Sequence, residues 1–278
     1  MILVTGASGK VGSEAARLLG AEQQPTRALV RDASRAPLAG VETVTGDFDR
    51  PDTLDAAMRG VETVILVSPA VPAQEIAVIA GAVRQGVQHI VKITSKASAD
   101  SPVERRRGQA QIEEYLLAAG VSYTLLRANA YMQNILALAP MIKQSGGFVM
   151  SAGDGQVGMI DARDVAATAV KVAVSPEAHV GRTYWLTGPD LITYDDVAKE
   201  LSDALGRTVE YRRTTPAEHR AAMLQAGVPE SVATSNAQAF GLIAEGDAAW
   251  LSGEVASVTG TAPRPLRTFI ADHVAAFT

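Results

Sequence analysis

A chain of 278 residues with 47% apolar and 20% charged side chains can bury a sizeable core, which excludes wholesale disorder and suits one large α/β domain with a small lobe. A net charge of −5 excludes a general nucleic-acid binder, whose surface would be basic, and the absence of cysteine excludes disulfides, thiolate nucleophiles and cysteine metal sites. The same absence fits a reducing, cytoplasmic compartment, and no apolar run of about eighteen residues is present to span a membrane.

Met1–Gly6 carries no basic segment ahead of its apolar run and turns glycine-rich at once, so it reads as a strand and not as a signal peptide. Ile2–Thr5 is that first strand, and Val11, Ala15, Leu18 and Leu19 follow at helical spacing. Strands are expected at Thr26–Val30 and Val41–Thr45, then a short helix between Pro51 and Gly60 and a doubly apolar strand at Val64–Val67. Ile76, Ile79, Ala80, Val83 and Val87 form a helical stripe. His89–Thr94 reads as a strand, Glu104–Gly120 as a helix with Ile112, Leu116 and Ala119 inward, and Tyr123–Arg127 as a strand. Strands alternating with helices of this length imply right-handed βαβ units and a doubly wound, Rossmann-like parallel sheet.

Beyond residue 130 the rhythm loosens. Tyr131–Ser145 reads as helical, Gly146–Asp161 as a loop or hairpin with a strand, and Ala162–Val174 as a helix opened by Asp161 and Asp164. A strand at Thr183–Leu186, a helix at Thr193–Leu205 and a strand at Thr208–Arg212 follow. Pro216–Gly246 reads as two helices broken at Gly227-Val228-Pro229, and Leu266, Phe269, Ile270, Val274 and Phe277 stripe a last helix. The expected division is a nucleotide-binding core over residues 1–130, and a region over 131–278 that completes the sheet and forms a substrate lobe.

The strongest motif is Thr5-Gly6-Ala7-Ser8-Gly9-Lys10-Val11-Gly12, which closes the first strand and opens the first helix. Gly6 and Gly9 allow a tight turn close to a pyrophosphate, Gly12 allows close helix–sheet packing, and the helix start offers unpaired N–H groups to phosphate. A Walker loop is excluded, because Val11 follows Lys10 where Ser or Thr would stand. At the tip of the second strand Val30 stands where an acidic residue would bind ribose hydroxyls, and Arg31 follows. A guanidinium there pairs with a 2′-phosphate, with Lys10 as a second cation, so NADP is favoured over NAD; Asp32 keeps NAD open. Asp47 is a candidate for the adenine amino group, with Phe48 beside the ring, or else a helix cap. Ligands of open α/β sheets lie beyond the carboxyl ends of the strands, which selects Val67-Ser68-Pro69, Thr94-Ser95-Lys96 and Ala128-Asn129-Ala130-Tyr131.

Taken in order, the glycine turn, Arg31, Gly46-Asp47-Phe48, Ile93-Thr94-Ser95, Leu125–Asn129 and Ile160-Asp161 with Asp164-Val165-Ala166 resemble the NmrA-like group of atypical short-chain dehydrogenase/reductases. The resemblance spans essentially the whole chain, which is similar to the NAD(P)H-dependent quinone and triphenylmethane-dye reductases of that group. It implies NADPH-dependent hydride transfer to a quinone, dye or other conjugated or carbonyl acceptor. Sensors that bind NAD(P) without turnover belong to the same group and are the alternative. The Tyr-x-x-x-Lys acid of ordinary members is absent, since Tyr115 is followed at four residues by Ala119 and Tyr123 by Arg127. A quinone or cationic dye accepts hydride without a strong enzymic acid; where one is needed, Ser95, Lys96 and Tyr131 are the candidates, with Asn129 and Asn134 to orient a carbonyl.

Other features carry less. Arg105-Arg106-Arg107 at a helix start reads as a solvated face or an anion or partner contact. His89, His179, His219 and His273 lack metal-ligand spacing, so no metal is expected. Met223–Ala239 reads as core packing or as the roof of an apolar pocket. Partners are a small-molecule acceptor and, for a homodimer rather than a monomer, a second copy pairing through Glu104–Gly120 and Pro72–Gly86.

Overall fold

The computed structural model describes residues 1–32, 34 and 40–278. The first half alternates β1 (Ile2–Val4), α1 (Lys10–Ala21), β2 (Thr26–Val30), β3 (Glu42–Thr45), α2 (Pro51–Ala57), β4 (Thr63–Leu66), α3 (Pro72–Arg84), β5 (His89–Thr94), α4 (Glu104–Ala118) and β6 (Ser122–Ala128). The second half brings a 3₁₀ segment (Met132–Leu138), α5 (Ala139–Ser145), β7 (Gly147–Met150), α6 (Ala162–Val174), β8 (Thr183–Leu186), α7 (Tyr194–Leu205) and β9 (Glu210–Arg213). It ends with α8 (Pro216–Gln225), α9 (Glu230–Ala244), α10 (Glu254–Thr259) and α11 (Leu266–His273). Among the described residues, no helix is long and apolar enough to cross a membrane.

Seven strands pair in parallel in the order β3-β2-β1-β4-β5-β6-β8. The chain winds outward from β1 in both directions, so a crevice opens between the β1 and β4 tips, the usual ligand position of such sheets. On one face Val4, Ile65, Val91, Ile93 and Leu126 pack against Ala15, Ala16 and Leu19 of α1 and Val165, Ala169 and Val172 of α6. On the other, Leu3, Val64, Leu66, Ile90 and Leu125 pack against α2, α3 and α4. A separate apolar cluster joins Phe148, Met150, Val197, Leu201, Tyr211, Phe269 and Phe277, around the parallel pair β7-β9.

Of the two readings of Gly146–Asp161, a loop with a strand holds and a hairpin does not: β7 pairs in parallel with β9, some sixty residues later in the chain. Two expectations are corrected. The inward face of α3 is Glu75, Val78, Ile79 and Ala82, so the stripe is rotated and Val83 stands 43% exposed. Core packing across Met223–Ala239 is limited to Ala233 and Ala237, with Met223 and Leu224 half-buried and Val232 exposed. The six-residue α10 was not foreseen. Asp161 does cap α6, its carboxylate accepting from the Arg163 N–H at 2.9 Å.

Candidate active site

The glycine turn is shaped by backbone approach. Gly6 has φ +57°, and a Cβ there would lie 2.7 Å from the Val67 carbonyl oxygen. At Gly12 a Cβ would lie 2.3 Å from the Gly6 oxygen, so only glycine lets α1 seat against β1. Thr5 locks the neighbouring tip: its hydroxyl donates to the Val67 carbonyl at 2.9 Å and accepts the Val67 N–H at 2.8 Å. Gly9 starts α1, and no side chain caps it. The first N–H groups of a helix have no partner within it, so those of Lys10, Val11 and Gly12 are left to a ligand. Ser8, Gly9 and Lys10 are exposed at this end, whereas the Val11 side chain is buried in the core.

Arg31, exposed beyond β2, makes no hydrogen bond or ion pair among the described residues, while the Asp32 carboxylate accepts from the N–H and hydroxyl of Ser34. Asp47 uses one carboxylate oxygen to accept the Asp49 N–H at 3.1 Å, an Asx turn two residues long rather than a cap on α2, whose N-cap is Arg50. Phe48 lies half-buried against the α2–α3 cluster.

The Lys10 amine does not reach toward Arg31. It donates to the Gln133 carbonyl at 3.2 Å, beyond β6, and burial lowers its pKa. Since β2 and β6 lie on opposite sides of β1, the second-cation role at a 2′-phosphate is corrected: Lys10 leans to the other half of the crevice. Gln133 is itself fixed, donating to Asp161 at 2.8 Å and accepting the Ala162 N–H at 2.9 Å.

Several candidate side chains are committed elsewhere. The Ser68 hydroxyl donates to Glu75 at 2.6 Å and accepts the Ala70 N–H at 2.9 Å. Ala70 takes φ +67°, a left-handed strain at the β4 tip just past the exposed Pro69. Thr94 points beneath the sheet, donating to Glu113 at 2.7 Å, so its hydroxyl is no cofactor ligand. Asn129 donates to the Ala248 carbonyl at 3.0 Å and accepts the Ala130 N–H at 2.8 Å, so its amide orients the chain and not a substrate. Lys96 pairs with Asp247 at 2.6 Å, and Arg106 reaches the other oxygen of that carboxylate at 2.7 Å. Burial works against the Asp247 charge, but its bonds to Arg106 and Lys96 hold its pKa below the usual carboxylate value. Lys96 is thereby held in an ion pair and is corrected from proton donor to clamp.

Two hydroxyls remain. Ser95 Oγ, just past β5, is buried and has no hydrogen-bond partner, an unmet polar group where a ligand would pass. The Tyr131 hydroxyl makes no hydrogen bond among the described residues. Burial pushes the phenol pKa up to about 12, with Arg105 opposing. Beside Lys96 opens a groove of about 480 Å³, walled by Trp185, Trp250, Leu251, Ser252 and Glu254. Its two indoles meet edge to face, 5.3 Å apart at 85°.

Sequence reasoning missed Asp247 and Gln133. Asp247 and Gln133 carry no local signal, because their partners lie far along the chain.

The fold and these residues fit a dinucleotide: a turn with no room for a Cβ at Gly6 or Gly12, uncapped helix N–H groups, a guanidinium at the β2 tip without a partner among the described residues, and an orphaned hydroxyl. An NAD(P)H azoreductase of Xenophilus azovorans is 39% identical over 100% of this chain and 99% of its own. A (4-alkanoyl-5-oxo-2,5-dihydrofuran-3-yl)methyl phosphate reductase of Streptomyces griseus is 37% identical over 100% of this chain and 99% of its own. The crystal structure of an NADPH-dependent quinone oxidoreductase of Escherichia coli complexed with NADPH superposes with a TM-score of 0.86 at 29% identity, covering 99% of both chains. The NmrA-like family itself matches residues 1–259, a span that carries the crevice and every strand of both sheets. With sequence and fold agreeing over nearly the whole chain, the protein belongs to the NmrA-like family.

Proposed function

We propose that the chain is an NADPH-dependent oxidoreductase that passes hydride to a planar conjugated acceptor, a quinone or a dye. The observation that carries the reading is the crevice at the β1–β4 tips, with its Cβ-intolerant turn at one end and the unpaired Arg31 at the other. Its kinship to an azoreductase and a quinone oxidoreductase supports the same chemistry. When bound, NADPH supplies the hydride. The turn and the α1 N–H groups hold the pyrophosphate, Arg31 pairs with the 2′-phosphate, and Ser95 donates to the ribose or nicotinamide end. The C-terminal elements form the substrate lobe, and the tryptophan-walled groove beside Lys96 offers aromatic surface to a flat acceptor. Tyr131, neutral and free to donate, is the proton source nearest to hand in chemical type. Positioning, not acid strength, then supplies most of the rate.

The test is oxidation of NADPH and NADH against quinones, azo and triarylmethane dyes, ketones and imines, with Arg31→Ala beside the wild type. Turnover with NADPH, and a KM for NADPH raised about tenfold or more in the variant with NADH unaffected, is the expected result. NADP bound tightly with no turnover of any acceptor would overturn the reductase and favour the cofactor sensor.

A further inference from the structure

Lys10 and Gln133 link the starts of two helices. The Lys10 backbone opens α1, and its Nζ donates to the Gln133 carbonyl at 3.2 Å. Gln133 is bonded in turn to Asp161 and to the Ala162 N–H, at the start of α6, which packs beside α1. A helix start carries partial positive charge, so the α1 dipole opposes a cation at this position. Among the described residues Lys10 makes no ion pair. Asp161, the carboxylate next to Gln133, is spent on the Arg163 guanidinium at 2.6 Å and the Arg163 N–H at 2.9 Å. An ammonium has three donors, and here one is used, on a neutral carbonyl.

A cation set against a helix dipole, with no anion of its own, is matched to an anion that arrives with a ligand. Phosphates belong at this spot, because the N–H groups of Lys10, Val11 and Gly12 are those that α1 leaves open, and the lysine stem is rooted on the first of them. The side chain leans toward the segment after β6, whereas Arg31 lies past β2, on the other side of β1. The two cations therefore serve different ends of a dinucleotide. Arg31 faces the adenine ribose, and Lys10 the half that continues past β4 and β5 to the nicotinamide.

We infer that the Lys10 ammonium pairs with the pyrophosphate, on the phosphate nearer the nicotinamide, and so grips NADP and NAD alike while Arg31 tells them apart. The inference rests on the cofactor reading of the crevice and not on the acceptor, so it holds for a reductase and for a sensor. An ammonium is a compact charge with rotatable donors, so it can turn from the Gln133 carbonyl to a phosphate oxygen without moving the backbone.

The experiment is calorimetric titration of wild type, Lys10→Met and Lys10→Arg, all of which keep the N–H at this position. The titrants are NADP, NAD, 2′-phospho-ADP-ribose (the whole pyrophosphate without nicotinamide) and adenosine 2′,5′-bisphosphate, which lacks the second phosphate. Expected in Lys10→Met is an affinity about tenfold lower for the first three, by a common factor, and unchanged for the bisphosphate; Lys10→Arg should keep most of the affinity. The loss should shrink as salt rises. Thermal unfolding of the free protein should not come earlier in Lys10→Met, because the α1 dipole is relieved of a cation. A residue needed only for its bond to Gln133 would instead lower the melting temperature and leave affinity alone. An equal loss for the bisphosphate, a loss confined to NADP, or unchanged affinity, with or without a lower melting temperature, would overturn the inference. Wild type that bound neither NADP nor NAD would overturn the cofactor reading itself and this inference with it.

Discussion

On β5, Val91 and Ile93 face α1 and α6, whereas Ile90, Lys92 and Thr94 face α3 and α4. The first face is closed by aliphatic side chains. The second holds a buried polar network: Lys92, with no exposed side-chain surface, pairs with Glu75 at 2.7 Å, Glu75 accepts from Ser68 at 2.6 Å, and Glu113 holds Thr94 and Arg127. Desolvation pulls the Lys92 pKa down, and Glu75 opposes it. Dispersion and burial are non-directional, so the aliphatic face tolerates small shifts. Hydrogen-bonded charges are directional, and here the chain of bonds ends on Ser68, at the β4 tip beside the crevice. Both faces bury apolar bulk; the second also fixes where the tips lie.

The largest expected effect therefore comes from splitting the buried pair. Lys92→Met leaves Glu75 buried and charged with only the Ser68 hydroxyl as partner, and should cost about 3–5 kcal/mol in urea unfolding, whereas Lys92→Met with Glu75→Leu should recover most of it. A single variant costing under about 1 kcal/mol would break the comparison, because the pair would then contribute no more than a surface one. Next comes Gly12→Ala. Its Cβ would strike the Gly6 carbonyl oxygen at 2.3 Å, so α1 must move; about 1–3 kcal/mol is expected, together with weaker NADPH binding by calorimetry. On the aliphatic face Ile93→Val should cost only about 0.5–1.5 kcal/mol and leave the KM for NADPH unchanged. A changed KM there would mean that this face, too, sets the crevice.

The same contrast explains what the sequence made legible. Period-two and period-3.6 patterns report apolar faces, so the strands of the main sheet, α1, α6 and the doubly wound architecture could be read directly, as could the glycine turn and the Asp161 cap. Polar partners obey no period. Lys92 inside β5 resembles a surface lysine until Glu75 is brought opposite it, and Glu75 on the inner face of α3 is what rotated the expected stripe away from Val83. Thr94, Lys96 and Asn129 all occupy strand tips, where the topological rule puts ligands, but each is claimed by a residue from another element: Glu113, Asp247 and the Ala248 carbonyl. Among the described residues, the Arg31, Ser95 and Tyr131 side chains make no hydrogen bond and stay available to a ligand. Strand-tip position narrows a search, and the inventory of satisfied bonds finishes it.

The smallest expected effect concerns Tyr131, and it sharpens the difference between a charged network and a neutral donor. Its phenol is pushed up to about 12 by burial, with the Arg105 guanidinium only partly offsetting the shift. A raised phenol pKa means that the protonated, donating form is fully present below that value and is lost only as pH rises through it. If Tyr131 donates the proton, acceptor reduction should be flat between about pH 6 and 9 in wild type, since nothing at this residue titrates in that window. Tyr131→Phe should then slow reduction of ketones, which need an acid, far more than reduction of quinones, whose products solvent can protonate. Stopped-flow NADPH oxidation across that pH range reads both effects. A Tyr131-dependent limb near neutrality would assign the phenol a lowered pKa, which would require Arg105 to dominate over burial. Equal slowing of ketones and quinones would make Tyr131 a packing residue at the start of the 3₁₀ segment and leave solvent as the proton source.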